Sequence, residues 1–212
     1  MAVCIALEGP DGVGKSTAAV ALKELFQSRT AASSYSDVRI RHFPTDMLTA
    51  CAGDSPHCLK AEDYAKDMEN WLALRAEPGT LYILDRWALS AAVYASLRGE
   101  PISGDTALTL DRLNRVPLTT FVLMPREPAA LEDPDFPGPD PYDPVPVAEA
   151  YRRFLTNAFV AGEMSRFIPI AVDRAVDTPE SVAAKIAGHE GLQKGGVTRI
   201  AHGALDAPAD LT

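Results

Sequence analysis

Four residues near the start of the chain stand at a spacing with a definite chemical use. Gly9, Gly14, Lys15 and Ser16 satisfy the pattern G-x-x-x-x-G-K-[ST], with Pro10, Asp11, Gly12 and Val13 between the glycines and Thr17 after the serine. Glycines at these positions let consecutive backbone N–H groups turn inward as a nest, and a helix starting at Lys15 aims its positive end at the same point. Lys15 would neutralise the β- and γ-phosphates of a nucleoside triphosphate, and the Ser16 hydroxyl would ligate Mg²⁺. The expected phosphate cradle is Gly9, Asp11, Gly12, Val13, Gly14, Lys15, Ser16 and Thr17. A second pair with chemical potential is Asp85-Arg86, at the end of the apolar run Leu81-Tyr82-Ile83-Leu84. There the carboxylate of Asp85 can engage Mg²⁺ through water, and the guanidinium of Arg86 can clamp a substrate phosphate bidentately.

The elements that must position these residues are legible as alternating patterns. Val3 to Glu8 is an apolar run ending at the Gly-rich turn, and Ala18, Leu22, Leu25 and Phe26 recur at helical spacing from Lys15 to Gln27. Val38 to His42, Leu81 to Leu84, Leu118 to Met124 and Phe167 to Val172 read as further strands. Helices are expected over about Ala61 to Ala76, Trp87 to Leu97, Asp105 to Arg115, Val147 to Met164 and Pro179 to Ile186. The alternation predicts the α/β class, a P-loop NTPase fold with a five-stranded parallel sheet and helices on both faces. One domain is expected over residues 1–188, including a proline-rich, lid-like loop at 132–146, with a loosely ordered tail over 189–212.

Composition bounds the setting. The chain has 212 residues, 47% of them hydrophobic, which suits one globular domain with a sizeable core. Its formal net charge of −9 disfavours a nucleic-acid partner. No 18-residue apolar run or leader pattern is present, so a cytoplasmic protein without membrane association is expected. Cys4, Cys51 and Cys58 have neither disulfide nor paired metal-ligand spacing, and His57 does not complete a metal set.

Several segments together resemble the thymidylate kinase family of nucleoside monophosphate kinases. The family's E-G-x-D-G-x-G-K-[ST]-T appears as Glu8 to Thr17, its F-P element as Phe43-Pro44, and its D-R-[YW]-x-x-S-x-x-x-Y element as Asp85 to Tyr94. Tyr142-Asp143, ahead of the helix from Val147, resembles the family's Tyr-Glu element. The resemblance covers about residues 3 to 186. It implies ATP and Mg²⁺ as cofactors, a pyrimidine deoxynucleoside monophosphate as the substrate and a homodimer as the assembly. It implies catalytic roles for Lys15, Asp11, Arg86 and Asp85, and metal ligation by Ser16 and Asp85. The implied substrate contacts are Asp11 on the 3′-hydroxyl, Phe43 beside the sugar and base, Trp71 stacked on the pyrimidine, Arg75 at the base edge, and Arg86 on the acceptor phosphate. Ser90, Tyr94 and Tyr142 complete that set.

Three departures bear on the acceptor and the mechanism. Ala91 stands where a hydrogen-bonding residue commonly reads the base, which makes a dUMP analogue such as 5-hydroxymethyl-dUMP as good a candidate as dTMP. Thr45 replaces a common arginine after Phe43-Pro44. The expected lid, Glu132 to Asp140, is acidic, and no arginine lies between Arg126 and Arg152. Arg126, Arg152 or Arg153 would then have to supply the missing charge. Core packing remains open for Phe43 and Trp71, and a solvated charge for Arg75. A deoxynucleoside kinase, a modified-base kinase and a non-catalytic nucleotide-binding protein remain alternatives.

Overall fold

The computed structural model describes residues 2–28, 35–44, 60–74, 76–116, 118–127, 144–162, 167–189 and 199–200. Its elements in chain order are β1 (Ala2–Glu8), α1 (Lys15–Gln27), β2 (Asp37–His42), α2 (Ala61–Leu74), β3 (Thr80–Asp85), α3 (Ala88–Leu97), α4 (Gly104–Arg115), β4 (Thr119–Pro125), α5 (Pro144–Val160), β5 (Phe167–Val172), α6 (Pro179–Ala187) and β6 (Arg199–Ile200). Five strands run parallel in the order β2-β3-β1-β4-β5. The expected five-stranded parallel sheet is therefore present. A short antiparallel pairing of β6 with Ala2 and Val3 adds to it, inside the segment expected to be a loose tail.

Side-chain alternation along β1 divides the core. Val3, Ile5 and Leu7 pack with Ala18, Leu22 and Phe26 of α1 and with Val182 and Ile186 of α6. Cys4 and Ala6 face the other way, toward Met68 and Trp71 of α2, Ala88 and Ala91 of α3, and Leu110 and Leu113 of α4. The same parity sends Glu8 to the α2–α4 face. β3 is buried along its whole length, as expected of a central parallel strand that reads as a continuous apolar run. A third cluster joins Leu89 and Val93 of α3 to Val122, Phe167 and the α5 residues Val147, Tyr151 and Ala158.

Three helix boundaries differ clearly from expectation. α5 begins at Pro144, inside the stretch expected to be loop. Proline is excluded from a helix interior, but in the first turn its missing N–H has no intrahelical partner to lose, so Pro144 and Pro146 are both accommodated there. The same helix ends at Val160 and does not continue to Met164, because Gly162 turns left-handed (φ 75°) and closes the last turn through its N–H to the Phe159 carbonyl oxygen. α2 is helical to Leu74, two residues short of the expected Ala76.

The layout opens one crevice. β1 and β3 are neighbours, with Leu7 opposite Asp85. The chain leaves β1 for α1 on one face and leaves β3 for α3 on the other, so the carboxyl ends of these two strands face a gap between diverging connections. His42, at the end of β2, lies opposite Asp85 on the other side.

Candidate functional site

The loop after β1 follows a path that only glycine can take at its first position. Gly9 has φ 136°, and a Cβ there would come within 2.3 Å of the Leu123 carbonyl oxygen on β4. Gly14 is left-handed (φ 93°) at the N-cap of α1, whose first turn carries no capping side chain and no acidic residue. The amide N–H groups at this helix start are therefore not taken by a side-chain cap, as an anion site requires. Lys15 is 5% exposed; its ammonium donates to the Pro10 carbonyl oxygen at 2.7 Å and lies 3.6 Å from the Asp11 carboxylate.

Across the crevice, Asp85 is anchored from two elements. Ser16 Oγ donates to its Oδ2 at 2.6 Å, and His42 Nδ1 lies 2.9 Å from the same oxygen. Burial alone would raise the carboxyl's pKa. The His42 hydrogen bond, the Lys15 charge and the Ser16 hydroxyl outweigh it, so the pKa falls below its ordinary value and Asp85 is held as a carboxylate. Ser16 and Asp85 could thus contribute oxygens to a Mg²⁺ ion at a nucleotide, where one or two protein oxygens suffice and phosphate oxygens and water supply the rest. Among the described residues no cluster of three or more His, Cys, Asp or Glu side chains forms an all-protein metal cage.

Arg86 has a left-handed backbone, φ 73°, unusual for a non-glycine residue. Its N–H donates to the Leu7 carbonyl oxygen at 3.0 Å, which ties β3's end to β1. The guanidinium pairs with the Asp11 carboxylate and lies 5.1 Å from the centre of the Tyr94 ring, while the Tyr94 hydroxyl donates to Asp11 at 2.8 Å. Asp11, Arg86 and Tyr94 therefore close a ring of contacts over the crevice, with Lys15 at its edge. An anionic group entering the crevice would find two cations and the amide nest converging on it.

The structure brings Asp11, Lys15, Ser16, Asp85, Arg86 and Tyr94 together. Gly9, Gly12, Val13, Gly14 and Thr17 form the loop around them. Ser90 needs a correction: it is buried, its hydroxyl donates to Glu8 and meets the Tyr151 hydroxyl at 2.8 Å, so it braces the site from beneath and does not face a substrate. Phe43 and Trp71 are likewise corrected from substrate contacts to core packing. Trp71 is 2% exposed, with the rings of Phe43, Tyr82 and Trp87 set edge-on against it at centroid distances of 5.6, 4.9 and 6.4 Å, which leaves no open face for a base. Arg75 and Tyr142 lie outside the described residues, as do Cys51, His57, Cys58 and the lid segment Glu132 to Asp140. Arg126 follows β4 and lies 3.8 Å from Asp173, and Arg152 and Arg153 are exposed on α5.

Three residues of this site were not assigned by sequence. His42 reads as a plain strand end until its register against Asp85 is known. Glu8 breaks an otherwise apolar strand, a signal that parity would have directed toward α3. Tyr151 lies on a helix whose apolar spacing gives no hint that its hydroxyl is needed.

Strand order, diverging connections and the glycine loop together define a P-loop α/β fold. Solved structures sharing it include the thymidylate kinase from Ehrlichia chaffeensis, with a TM-score of 0.60 and 15% identity over 88% of this chain and 96% of that one. The thymidylate kinase from Candida albicans matches with a TM-score of 0.59 and 14% identity, covering 92% of this chain and 93% of that one. No protein-family model and no curated protein sequence matches the chain. The resemblance noted in the sequence motifs thus extends to the fold over most of the chain. Among the described residues no helix is long and apolar enough to cross a membrane.

Proposed function

We propose that this protein is an ATP- and Mg²⁺-dependent kinase that phosphorylates a pyrimidine deoxynucleoside monophosphate, dTMP or a dUMP analogue such as 5-hydroxymethyl-dUMP, to the diphosphate. The observation that carries this reading is the crevice in which Arg86 faces the glycine loop, beside Lys15 and against Asp11 and Tyr94. A phosphate donor and a phosphate acceptor each have a cation there: Lys15 for the β- and γ-phosphates, Arg86 for the acceptor.

An oxygen of the acceptor's 5′-phosphate attacks the γ-phosphorus, the new O–P bond forms as the bond to the β-phosphate oxygen breaks, and ADP leaves. The acceptor oxygen is already anionic at neutral pH, so the protein's contribution is alignment and charge stabilisation, with no general base and no covalent intermediate. Ser16 and Asp85 would hold Mg²⁺, which when bound offsets charge on the β- and γ-phosphates. Asp11 and Tyr94 would meet the deoxyribose once a phosphate draws Arg86 away from the Asp11 carboxylate. Pairing of two copies belongs to the same proposal, and gel filtration tests it; α3 is largely buried within one chain, which leaves α4 as the surface to examine.

The test is ADP release with ATP, Mg²⁺ and, in turn, dTMP, dUMP, 5-hydroxymethyl-dUMP, dCMP and thymidine. Stimulation by a monophosphate is expected, together with its loss in Lys15→Ala. Stimulation by thymidine alone would make the protein a deoxynucleoside kinase, and no stimulation by any of them would remove the kinase reading.

A further inference from the structure

Glu8 is a fully enclosed carboxylate (0% exposed) at the end of β1, directly beneath the crevice. Its Oε1 accepts the Trp87 N–H at 3.0 Å and the Ser90 N–H at 3.1 Å, and its Oε2 accepts the Ser90 hydroxyl. Trp87 is the N-cap of α3, and it has no side-chain cap of its own; no acidic residue lies in that helix's first turn. Glu8 therefore supplies, from another element, the carboxylate that a helix N-terminus ordinarily takes from its own sequence. The network continues through Ser90 Oγ to the hydroxyl of Tyr151, a fully buried residue of α5.

Arg86 sits between these fixed points. Its own N–H is held by Leu7, the residue before Glu8, and the next N–H, that of Trp87, is held by Glu8 itself. A left-handed backbone at a non-glycine residue persists only where its surroundings over-determine it, and here two adjacent residues of β1 hold two adjacent amides. Arg86 Nη1 also lies 3.4 Å from Ser90 Oγ, so the hydroxyl that Glu8 fixes helps set the guanidinium's direction.

We propose that Glu8 is the positioning residue for Arg86: its carboxylate, acting through the Trp87 and Ser90 amides and the Ser90–Tyr151 hydroxyl pair, fixes the start of α3 so that the guanidinium is presented to the acceptor's phosphate. This rests on reading Arg86 as the acceptor-phosphate ligand. Glu8 touches no substrate, and the two amides it accepts from belong to the start of α3, in the acceptor half of the site. The donor half is reached at the far end of the network, where the Tyr151 hydroxyl accepts the Gly9 N–H, while the Lys15 ammonium is held separately by the Pro10 carbonyl oxygen.

The experiment compares Glu8→Ala, Glu8→Asp, Glu8→Gln and Arg86→Ala with the wild-type chain, measuring KM for dTMP, KM for ATP and kcat. Glu8→Ala, or Glu8→Asp should the alanine variant not fold, is expected to raise KM for dTMP by about 10- to 100-fold, the cost of misplacing a binding group by about an ångström. KM for ATP should rise by a much smaller factor than KM for dTMP. Glu8→Gln keeps a carbonyl oxygen for the two amides and should restore KM for dTMP to within about threefold of wild type. A parallel worsening of both KM values, or a glutamine variant as impaired as the shortened ones, would overturn the positioning role. Wild-type KM for dTMP in Glu8→Asp alongside a raised KM in Arg86→Ala would overturn it while leaving the kinase reading intact. An Arg86→Ala variant with unaltered KM for the monophosphate acceptor, or a wild-type chain that none of the monophosphates stimulates, would remove the reading of Arg86 itself and this proposal with it; a chain that prefers a dUMP analogue is measured with that acceptor in place of dTMP.

Discussion

Asp85 carries two hydrogen bonds on one carboxylate oxygen, from Ser16 at 2.6 Å and with His42 at 2.9 Å, and both partners come from other elements. The second oxygen does not depend on these contacts. A carboxylate oriented in this way can engage a hydrated cation beside the Ser16 hydroxyl without first reorganising, which is the value of a fixed outer partner at a metal site. His42, 60% exposed on its side chain, is the less protected half of that arrangement. Asp85→Asn is expected to lower ADP release by about 10- to 100-fold and to raise the Mg²⁺ concentration needed for half-maximal rate, since groups orienting a bound metal typically carry that much. His42→Ala should shift the Mg²⁺ requirement in the same direction by a smaller factor, because the Ser16 hydrogen bond survives. Rates measured across a Mg²⁺ titration at saturating nucleotide check both; an Asp85→Asn variant with a wild-type Mg²⁺ profile would remove Asp85 from the metal site.

At the scale of elements, the phosphate loop is fixed by where β4 runs. The close approach of Gly9 to the Leu123 carbonyl oxygen means that the loop's path is set by a neighbouring strand more than 100 residues away in sequence. Gly9→Ala must push β4 aside or abandon the path, and a backbone oxygen cannot yield as a flexible side chain would. A loss of about 3 kcal/mol or more is expected, the range of an overpacked and strained backbone position, with loss of ATP binding even where the fold persists. Urea denaturation and ATP titration of the variant measure the two effects separately. The same contrast between local and distant causes explains what the sequence discloses. β1, β3 and β4 are legible because buried parallel strands are continuous apolar runs, β2 at the sheet edge by its alternation of Val38, Ile40 and intervening charges, and the Gly9–Thr17 loop because its chemistry is local in sequence. The start of α5 is hidden because a proline-rich stretch looks hostile to helix until its first turn is located. Trp71 and Ser90 are misjudged because their surroundings come from elsewhere: Phe43, Tyr82 and Trp87 enclose the indole, and Glu8 and Tyr151 take the hydroxyl. Periodicity reports which face of a helix is apolar, and says nothing of which residue waits on the other side.

For the whole molecule, the buried carboxylate of Glu8 links the site to stability. Burial pushes its pKa up from an ordinary 4.5 to about 7, against the pull of the Ser90 hydroxyl and amide and of the Arg86 and Lys15 charges. The unfolded chain releases this proton near pH 4.5 and the folded one near 7, so between those values the native state binds more protons. Stability from this group is therefore fully present below about pH 4.5 and declines as pH rises through 7. A shift of that size corresponds to about 3 kcal/mol, a sizeable part of the 5–15 kcal/mol typical of a domain. Asp85 and Asp177 act in the opposite sense: their pKa values lie below the ordinary range, so their contributions are present at neutral pH and fade only in acid. The two windows do not overlap, so these three groups together favour the folded state most between about pH 4 and 5. Glu8→Gln cannot ionise, so its urea midpoint should vary little between pH 5 and 8 while that of the wild type falls steadily. The two curves should converge at the acidic end, where Glu8 is protonated and resembles the amide in charge. A wild-type midpoint independent of pH over this range would mean that Glu8 keeps its charge at pH 5, with the two cations above it outweighing the cost of burial.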